Sequence, residues 1–289
     1  LGGTKCIATL ARGKDILRQE RWATEGPETL DEISATLAAW QDELPFAAIG
    51  IGSFGPLSLD ASSPRFGHME NTPKPGWAGA DVHGHFARRF ALPVGIDTDV
   101  GGAALAEGQW GAAMGCAVHG YATIGTGVGL GLVVDGKAVH GRLHPEAGHM
   151  RIRRTAGDMF EGACPAHGDC LEGLVGGPAL AARANGALAD MPDDDPLWDR
   201  VAREMGEWVA MLILCVSPQR LVIGGGVLDY RPTLLAKIRV AVAANLGGYL
   251  AGLDIAALET LIVPPALGRD AGPLGAIIVG QNALRGSQA

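Results

Sequence analysis

The sequence has 289 residues, of which 47 % are hydrophobic and 19 % charged, enough apolar material for two packed cores and too little charge for a disordered chain. Its formal net charge is −8 and no basic patch stands out. This argues against a nucleic-acid reader but leaves room for ATP, which backbone N–H groups and a divalent cation hold. The longest apolar helical stretch, Trp208 to Val216, is cut off before Pro218 and is too short to span a bilayer, and no signal peptide is visible. Five scattered cysteines, Cys6, Cys116, Cys164, Cys170 and Cys215, suit a reducing cytoplasm better than a disulfide framework.

In chain order, Leu1–Leu10 reads as a strand with a tight Gly-Gly-Thr turn, followed by a strand near Ile16–Arg21. Leu30, Ile33, Leu37 and Trp40 recur at helical spacing and predict a helix over Thr29–Trp40. A buried strand over Ala47–Gly52 ends in the turn Gly52–Pro56. A helix over Val82–Phe90 and a strand at Val94–Asp97 follow, then a helix over Gly101–Trp110. The pattern then restarts, with strands Gly120–Ile124 and Val128–Val134 hinged on Gly125-Thr126-Gly127 like a copy of the opening turn. Helices are predicted over 178–188, Pro196–Val216 and Pro232–Leu246, and strands at Arg220–Ile223 and Leu261–Val263. Gly272–Leu284 closes as a helix. The alternation predicts an α/β protein of two similar lobes. The first spans 1–108 and is joined by the closing helix at about 275–289; the second spans 109–274.

Four groups of residues carry chemistry. The turns Gly2-Gly3-Thr4-Lys5 and Gly125-Thr126-Gly127 let backbone N–H groups approach a phosphate and add a hydroxyl donor, although each is also an ordinary tight turn. No Gly-Lys-Ser/Thr follows, so neither is a Walker loop. Ile96-Asp97-Thr98-Asp99-Val100 puts two carboxylates at a strand end before a helix, where either one is a general base or Asp99 is a helix cap. Trp77 and Asn71, in the stiff loop Asn71–Trp77, suit a carbohydrate, and a Pro-rich connector has the same composition.

His149, Cys164, His167 and Cys170 form the fourth group. The two-residue gaps in Cys164-Pro-Ala-His167-Gly-Asp-Cys170 let one loop wrap a tetrahedral ion, with His149 as fourth ligand and His144 as its substitute. Two thiolates with two imidazoles select Zn²⁺, and a closed four-ligand site is structural. Glu146 and Glu172 bracket this loop and would be held rigidly by it; a carboxylate accepts two hydrogen bonds and so suits sugar hydroxyls, while on spacing alone either is a plain surface charge.

Together these residues resemble the ROK family of sugar kinases and sugar-sensing repressors. The resemblance runs through Gly2–Lys5, Gly55-Pro56, Asn71, Pro73 and Trp77, Asp99–Glu107 and Gly125–Gly127. It continues through Glu146-Ala-Gly-His149, the Cys164–Glu172 loop, Gly224–Gly226 and Ala271–Ala276. It implies the actin-like, hexokinase-type fold, with ATP and a hexose in a cleft between the lobes. It also implies that Asp99 is the base that deprotonates the attacking hydroxyl, and that Mg²⁺ bridges the phosphates. Gly55, Asn71, Thr72, Asp99, Glu146, His149 and Glu172 would contact the sugar, His149 using one ring nitrogen for zinc and the other for a hydroxyl. Gly3, Thr4, Lys5, Gly125, Thr126, Gly127, Gly177, Pro178, Gly224, Gly225 and Gly226 would contact the nucleotide. A homodimer formed through the larger lobe is implied as well.

Within ROK, Asn-Thr-Pro-Lys-Pro-Gly-Trp, His144-Pro-Glu146 and a zinc loop carrying His167 resemble the bacterial fructokinase branch, which makes fructose the first-choice substrate. Glucose, mannose and N-acylhexosamines are the rivals, and a non-enzymatic sugar-sensing regulator is the alternative of another class. Three departures stand out. The acidic residue that helps hold Mg²⁺ in the family would precede Leu1 and is not assigned. Gly101 replaces the usual Asn, and its missing side chain would make room for a 2-substituent. Arg269-Asp270 replaces a polar pair near the nucleotide base.

Overall fold

The computed structural model describes residues 1–186 and 188–288. The first lobe opens with an antiparallel hairpin of β1 (Lys5–Arg12) and β2 (Asp15–Ala23), followed by α1 (Thr29–Glu43). Strands β3 (Ile49–Ser53) and β4 (Val94–Thr98) then pair in parallel, with α2 (Val82–Arg89) in the crossover. Helix α3 (Asp99–Trp110) leads into the second lobe, whose sheet runs β7-β6-β5-β8-β9. Here β5 (Val118–Ile124), β6 (Val128–Val134) and β7 (Lys137–Ala138) are antiparallel neighbours, while β8 (Arg220–Gly224) and β9 (Ile262–Val263) run parallel to β5. The remaining helices are α4 (Leu171–Val175), α5 (Gly177–Arg183), α6 (Pro196–Val216), α7 (Gly226–Tyr230), α8 (Leu234–Leu246), α9 (Ile255–Leu261) and α10 (Ala271–Gly286).

Side-chain alternation decides what covers each sheet. In β3 and β4, Ile49, Ile51 and Ile96 enter a core built with Leu30, Ile33 and Phe86 from α1 and α2. The opposite face is glycine at positions 50, 52 and 95, with Asp97 at its end. A Cβ on Gly50 would lie 2.3 Å from the Gly280 nitrogen, and one on Gly95 2.6 Å from the Val279 carbonyl, so α10 rests directly on strand backbone. In the second sheet Leu221 and Ile223 pack on α6 and α8 through Met205, Trp208 and Ile238. Tyr121 and Val222, pointing the other way, meet Ala104 of α3 and Leu274 of α10. Helices α3 and α10 cross at Gly102 and Gly275, where a Cβ on Gly275 would stand 2.3 Å from the Gly102 carbonyl carbon. Both are therefore shared between the lobes. Glu107, fully buried on α3, accepts from the backbone nitrogens of Ala112, Ala266 and Leu267 at 2.7–3.2 Å and ties this helix to the segment before α10.

The opening turn differs from its expected form. The β1–β2 hairpin turns at Gly13-Lys14, with Gly13 at φ +60°, whereas Gly2–Thr4 joins β1 to Leu1, which runs alongside β3. The Leu1 nitrogen donates to Gly52 O at 2.6 Å, and Phe54 N donates to Leu1 O at 2.8 Å. The helix expected over 178–188 stops at Arg183, because Asn185 and Gly186 take positive φ; residue 187 of that expectation lies outside the described residues. No helix among the described residues is long and apolar enough to cross a membrane.

Candidate active site

Helix α3 starts two residues earlier than its spacing predicted, and this changes the standing of Asp99. The cap is Thr98, whose hydroxyl accepts from Gly101 N at 2.9 Å. Asp97 is occupied too: its buried carboxylate accepts from Thr98 N at 2.6 Å and from His140 Nε2 at 3.1 Å. Asp99 accepts from the N–H of Val100, at 2.9 Å, and not from the Gly101 N–H that the cap takes, so capping does not consume its carboxylate. Burial pushes its pKa above the usual carboxylate range.

Three carboxylates converge here. Glu146 is held up to about 7 by burial first and by the charges of Glu172 and Asp99 second. Its side chain is still 41 % exposed, so water screens part of that effect. Glu172, in the first turn of α4, accepts from Val128 N at 3.0 Å, which fixes it against the start of β6. A Cβ at Gly127 would meet Glu172 Oε2 at 2.5 Å, so a side chain there would displace this carboxylate.

The two glycine turns face each other across the lobes, Thr4 Oγ1 standing 3.2 Å from Thr126 Oγ1. Gly125–Gly127 closes the β5–β6 hairpin, with Gly125 N donating to Gly127 O at 2.9 Å. Gly177 N donates to Gly125 O at 2.7 Å, which brings the start of α5 and Pro178 alongside this turn. Gly224–Gly226 joins β8 to α7, and Gly225, at φ +97°, packs on Ile124. Lys5 is exposed at the start of β1. Lys74 lies above the first turn, its Cε 4.0 Å from where a Gly3 Cβ would be, and no carboxylate pairs with it among the described residues.

The loop Asn71–Trp77 is divided. Trp77 is fully buried and donates its indole N–H to Glu25 O at 3.3 Å, so this ring belongs to the core and offers nothing to a sugar. Thr72 is buried and accepts from Lys74 N at 3.4 Å; Asn71 is exposed, and no described contact joins it to the carboxylates. Sequence reasoning missed Thr98 as the cap, for which a Thr three residues before Gly101 was the available signal.

His149, Cys164, His167 and Cys170 come together with their ligand atoms within 4.8 Å of one another. Nδ1 of His149 lies 3.7 Å from Cys164 Sγ and 3.6 Å from Cys170 Sγ, and His167 Nδ1 lies 3.7 Å from Cys164 Sγ. Ordinary zinc–sulfur and zinc–nitrogen lengths in a tetrahedron require such edges to be about 3.6 Å, so the donor set fits the ion. Burial pushes the Cys170 thiol up, a cost that a bound cation would offset. His144 is not in this cluster. Its Nε2 accepts from Leu57 N at 3.0 Å instead.

A cavity of about 640 Å³ touches Gly3, Thr4 and Asp99 at one end but runs back between β1, β3, α1 and α10 past Leu10, Ile33, Leu37 and Phe86. Its apolar walls suit neither a phosphate nor a hexose, so the polar groups and not the volume mark the site.

The chain matches the ROK family over residues 1–283. It belongs to that family. Among ROK proteins it is 42 % identical to the fructokinase of Zymomonas mobilis, covering 95 % of this chain and 92 % of that protein. It is 40 % identical to the fructokinase of Pediococcus pentosaceus, covering 98 % and 96 %. The ROK hexokinase of Thermus thermophilus superposes with a TM-score of 0.79 at 27 % identity, covering 99 % of this chain and 97 % of that one. The two-lobed α/β architecture described above is thus the actin-like fold of ROK sugar kinases.

Proposed function

We propose that this protein transfers the γ-phosphoryl group of MgATP to a hydroxyl of free fructose, most directly the 6-hydroxyl. The carboxylate of Asp99 is the observation that carries the reading: it stands at a strand end beside two other acids, and capping does not tie it up. As the fructose oxygen attacks the γ-phosphorus, Asp99 takes the hydroxyl proton and the bond to the bridging oxygen of ADP breaks. The turns Gly2–Thr4 and Gly125–Gly127, meeting at the Thr4–Thr126 contact, supply backbone N–H groups to the phosphates from both lobes. Gly177, Pro178 and Gly224–Gly226 line the nucleotide side, and Gly55, Asn71, Thr72, Glu146, His149 and Glu172 the sugar side. His149, Cys164, His167 and Cys170 would hold one zinc, whose contribution is to pin the loops carrying Glu146 and Glu172.

Fructose is preferred because relatives at 40–42 % identity over nearly the whole chain carry that name. The room that Gly101 was expected to open for a 2-substituent is filled: a Cβ there would meet Asp97 Oδ1 at 2.4 Å and Thr98 Oγ1 at 2.8 Å. N-acylhexosamines therefore gain no space at that position. The deciding experiment is a coupled ADP-release assay over fructose, glucose, mannose and both N-acetyl sugars at equal concentration. Fructose should give the highest kcat/KM. Preference for another hexose replaces the substrate, and no turnover of any overturns the kinase reading.

A further inference from the structure

His144 belongs neither to the metal cluster nor to the carboxylate group, yet it touches two loops that meet at the sugar side of the cleft. Its side chain is 4 % exposed. Nε2 accepts from the backbone nitrogen of Leu57 at 3.0 Å, in the turn that carries Gly55 on the first lobe. A Cβ on Gly55 would stand 3.1 Å from Cε1 and 3.2 Å from Nε2 of the ring, so the imidazole fills the space a side chain there would need. On its other edge Nδ1 lies 3.5 Å from Glu146 Oε1.

These contacts fix the ring's chemistry. A nitrogen that accepts a hydrogen bond carries no proton, so the proton sits on Nδ1 and faces Glu146. Burial lowers the ring's pKa and favours this neutral form. Leu57 is fully buried, so no water stands ready to replace the imidazole as acceptor. Four residues away, His140 Nε2 meets Asp97 of β4 at 3.1 Å, so one short segment of the second lobe is fastened to the first at two points.

We propose that His144 is a positioning residue for the hexose: by accepting from Leu57 while its other edge stands against Glu146, it holds the Gly55 turn and the Glu146 carboxylate in one fixed relation across the cleft. The proposal rests on the hexose-binding half of the reading above. The nucleotide turns make no described contact with His144, so its loss should be felt by the sugar and not by ATP.

The test is a kinetic split with a conservative rescue, read on the hexose the wild type uses best. His144→Leu removes the acceptor, and the hexose KM should rise at least ~10-fold, the scale for leaving a buried donor unpaired, with the KM for ATP nearly unchanged. His144→Gln places an amide oxygen near the position of Nε2 and should recover most of the loss. Gly55→Ala, which pushes on the ring from the other side, should reproduce the sugar-specific effect if His144→Leu fails to fold. Equal rises in both KM values, or Leu and Gln variants that behave alike at matched melting temperatures, overturn the proposal. Calorimetric hexose binding separates the two readings. A wild type that binds hexose without transferring phosphate loses the kinase reading and, with weakened binding in His144→Leu, keeps this one. A wild type that binds no hexose loses both.

Discussion

At the scale of single residues, the Thr98 hydroxyl decides how Asp99 is to be used. With the cap supplied by its neighbour, Asp99→Asn should leave α3 intact while kcat falls by ~10²–10⁴, the usual range for a general base. Steady-state kinetics and a melting curve check this together; a kcat within tenfold of wild type would return Asp99 to a structural role. Glu146 gives a pH prediction. Its folded pKa, about 7, lies above the ordinary value of 4.5, so the folded state binds the extra proton. The favourable contribution is full below 4.5 and is lost as pH rises through 7. Glu146→Gln should therefore melt above wild type at pH 8 and alongside it near pH 5, with a weaker grip on the sugar at both. The sequence reveals that Asp97 and Asp99 stand at a strand end. It does not reveal their division of labour, because that depends on His140, 43 positions away, arriving beside Asp97. Trp77 misled for a related reason: an indole in a Pro-rich loop has the same composition whether it faces a ligand or, as here, Glu25 and the Phe54 ring.

At the scale of elements, the meeting of Cys164, His167 and Cys170 was the most legible feature, since they are close enough in sequence for local geometry to enforce it. About one zinc per chain is expected by metal analysis of protein purified without chelators. Cys170→Ser should release it and lower the melting temperature, because binding the ion and ordering the loop are one process. A metal-free, equally stable wild type would refute the site. Helix α6 was equally plain, with Pro196 in its first turn and a long amphipathic run, and it matches its predicted ends. Helices α4, α7 and α9 were not foreseen. They span five to seven residues each, too few turns for periodicity to register, and they exist because they pack on neighbours such as α6, α8 and β8.

At the scale of the whole molecule, the alternation of strands and helices was sufficient to read two α/β lobes, but the way they are joined was not. Glycines 50, 95, 102 and 275 fall inside strands and helices that the sequence predicts, but nothing in it reveals that they are the places where backbone meets backbone. The groups proposed to meet sugar and nucleotide are likewise drawn from both lobes, as Thr4 with Thr126 and Gly55 with Glu146 illustrate. Ligands should therefore stabilise the chain as a unit. Fructose and a non-hydrolysable ATP analogue, each at a hundred times its Kd, should each add ~2.7 kcal/mol and raise one shared melting transition. Two separate transitions, only one of them responsive, would contradict that coupling.

The glycine-floored bed for α10 also bears on how the protein is made. The strands beneath the helix end at Ser53 and Thr98, while the helix that covers them begins at Ala271. During synthesis at ~5–20 residues per second, the first lobe thus waits roughly nine to thirty-five seconds with one face of its sheet open. Gly50 and Gly95 are what lies bare in that interval, and they present backbone with almost no apolar side chain to attract a wrong partner. The feature that lets the helix sit so close in the finished fold also keeps the unfinished one from being adhesive.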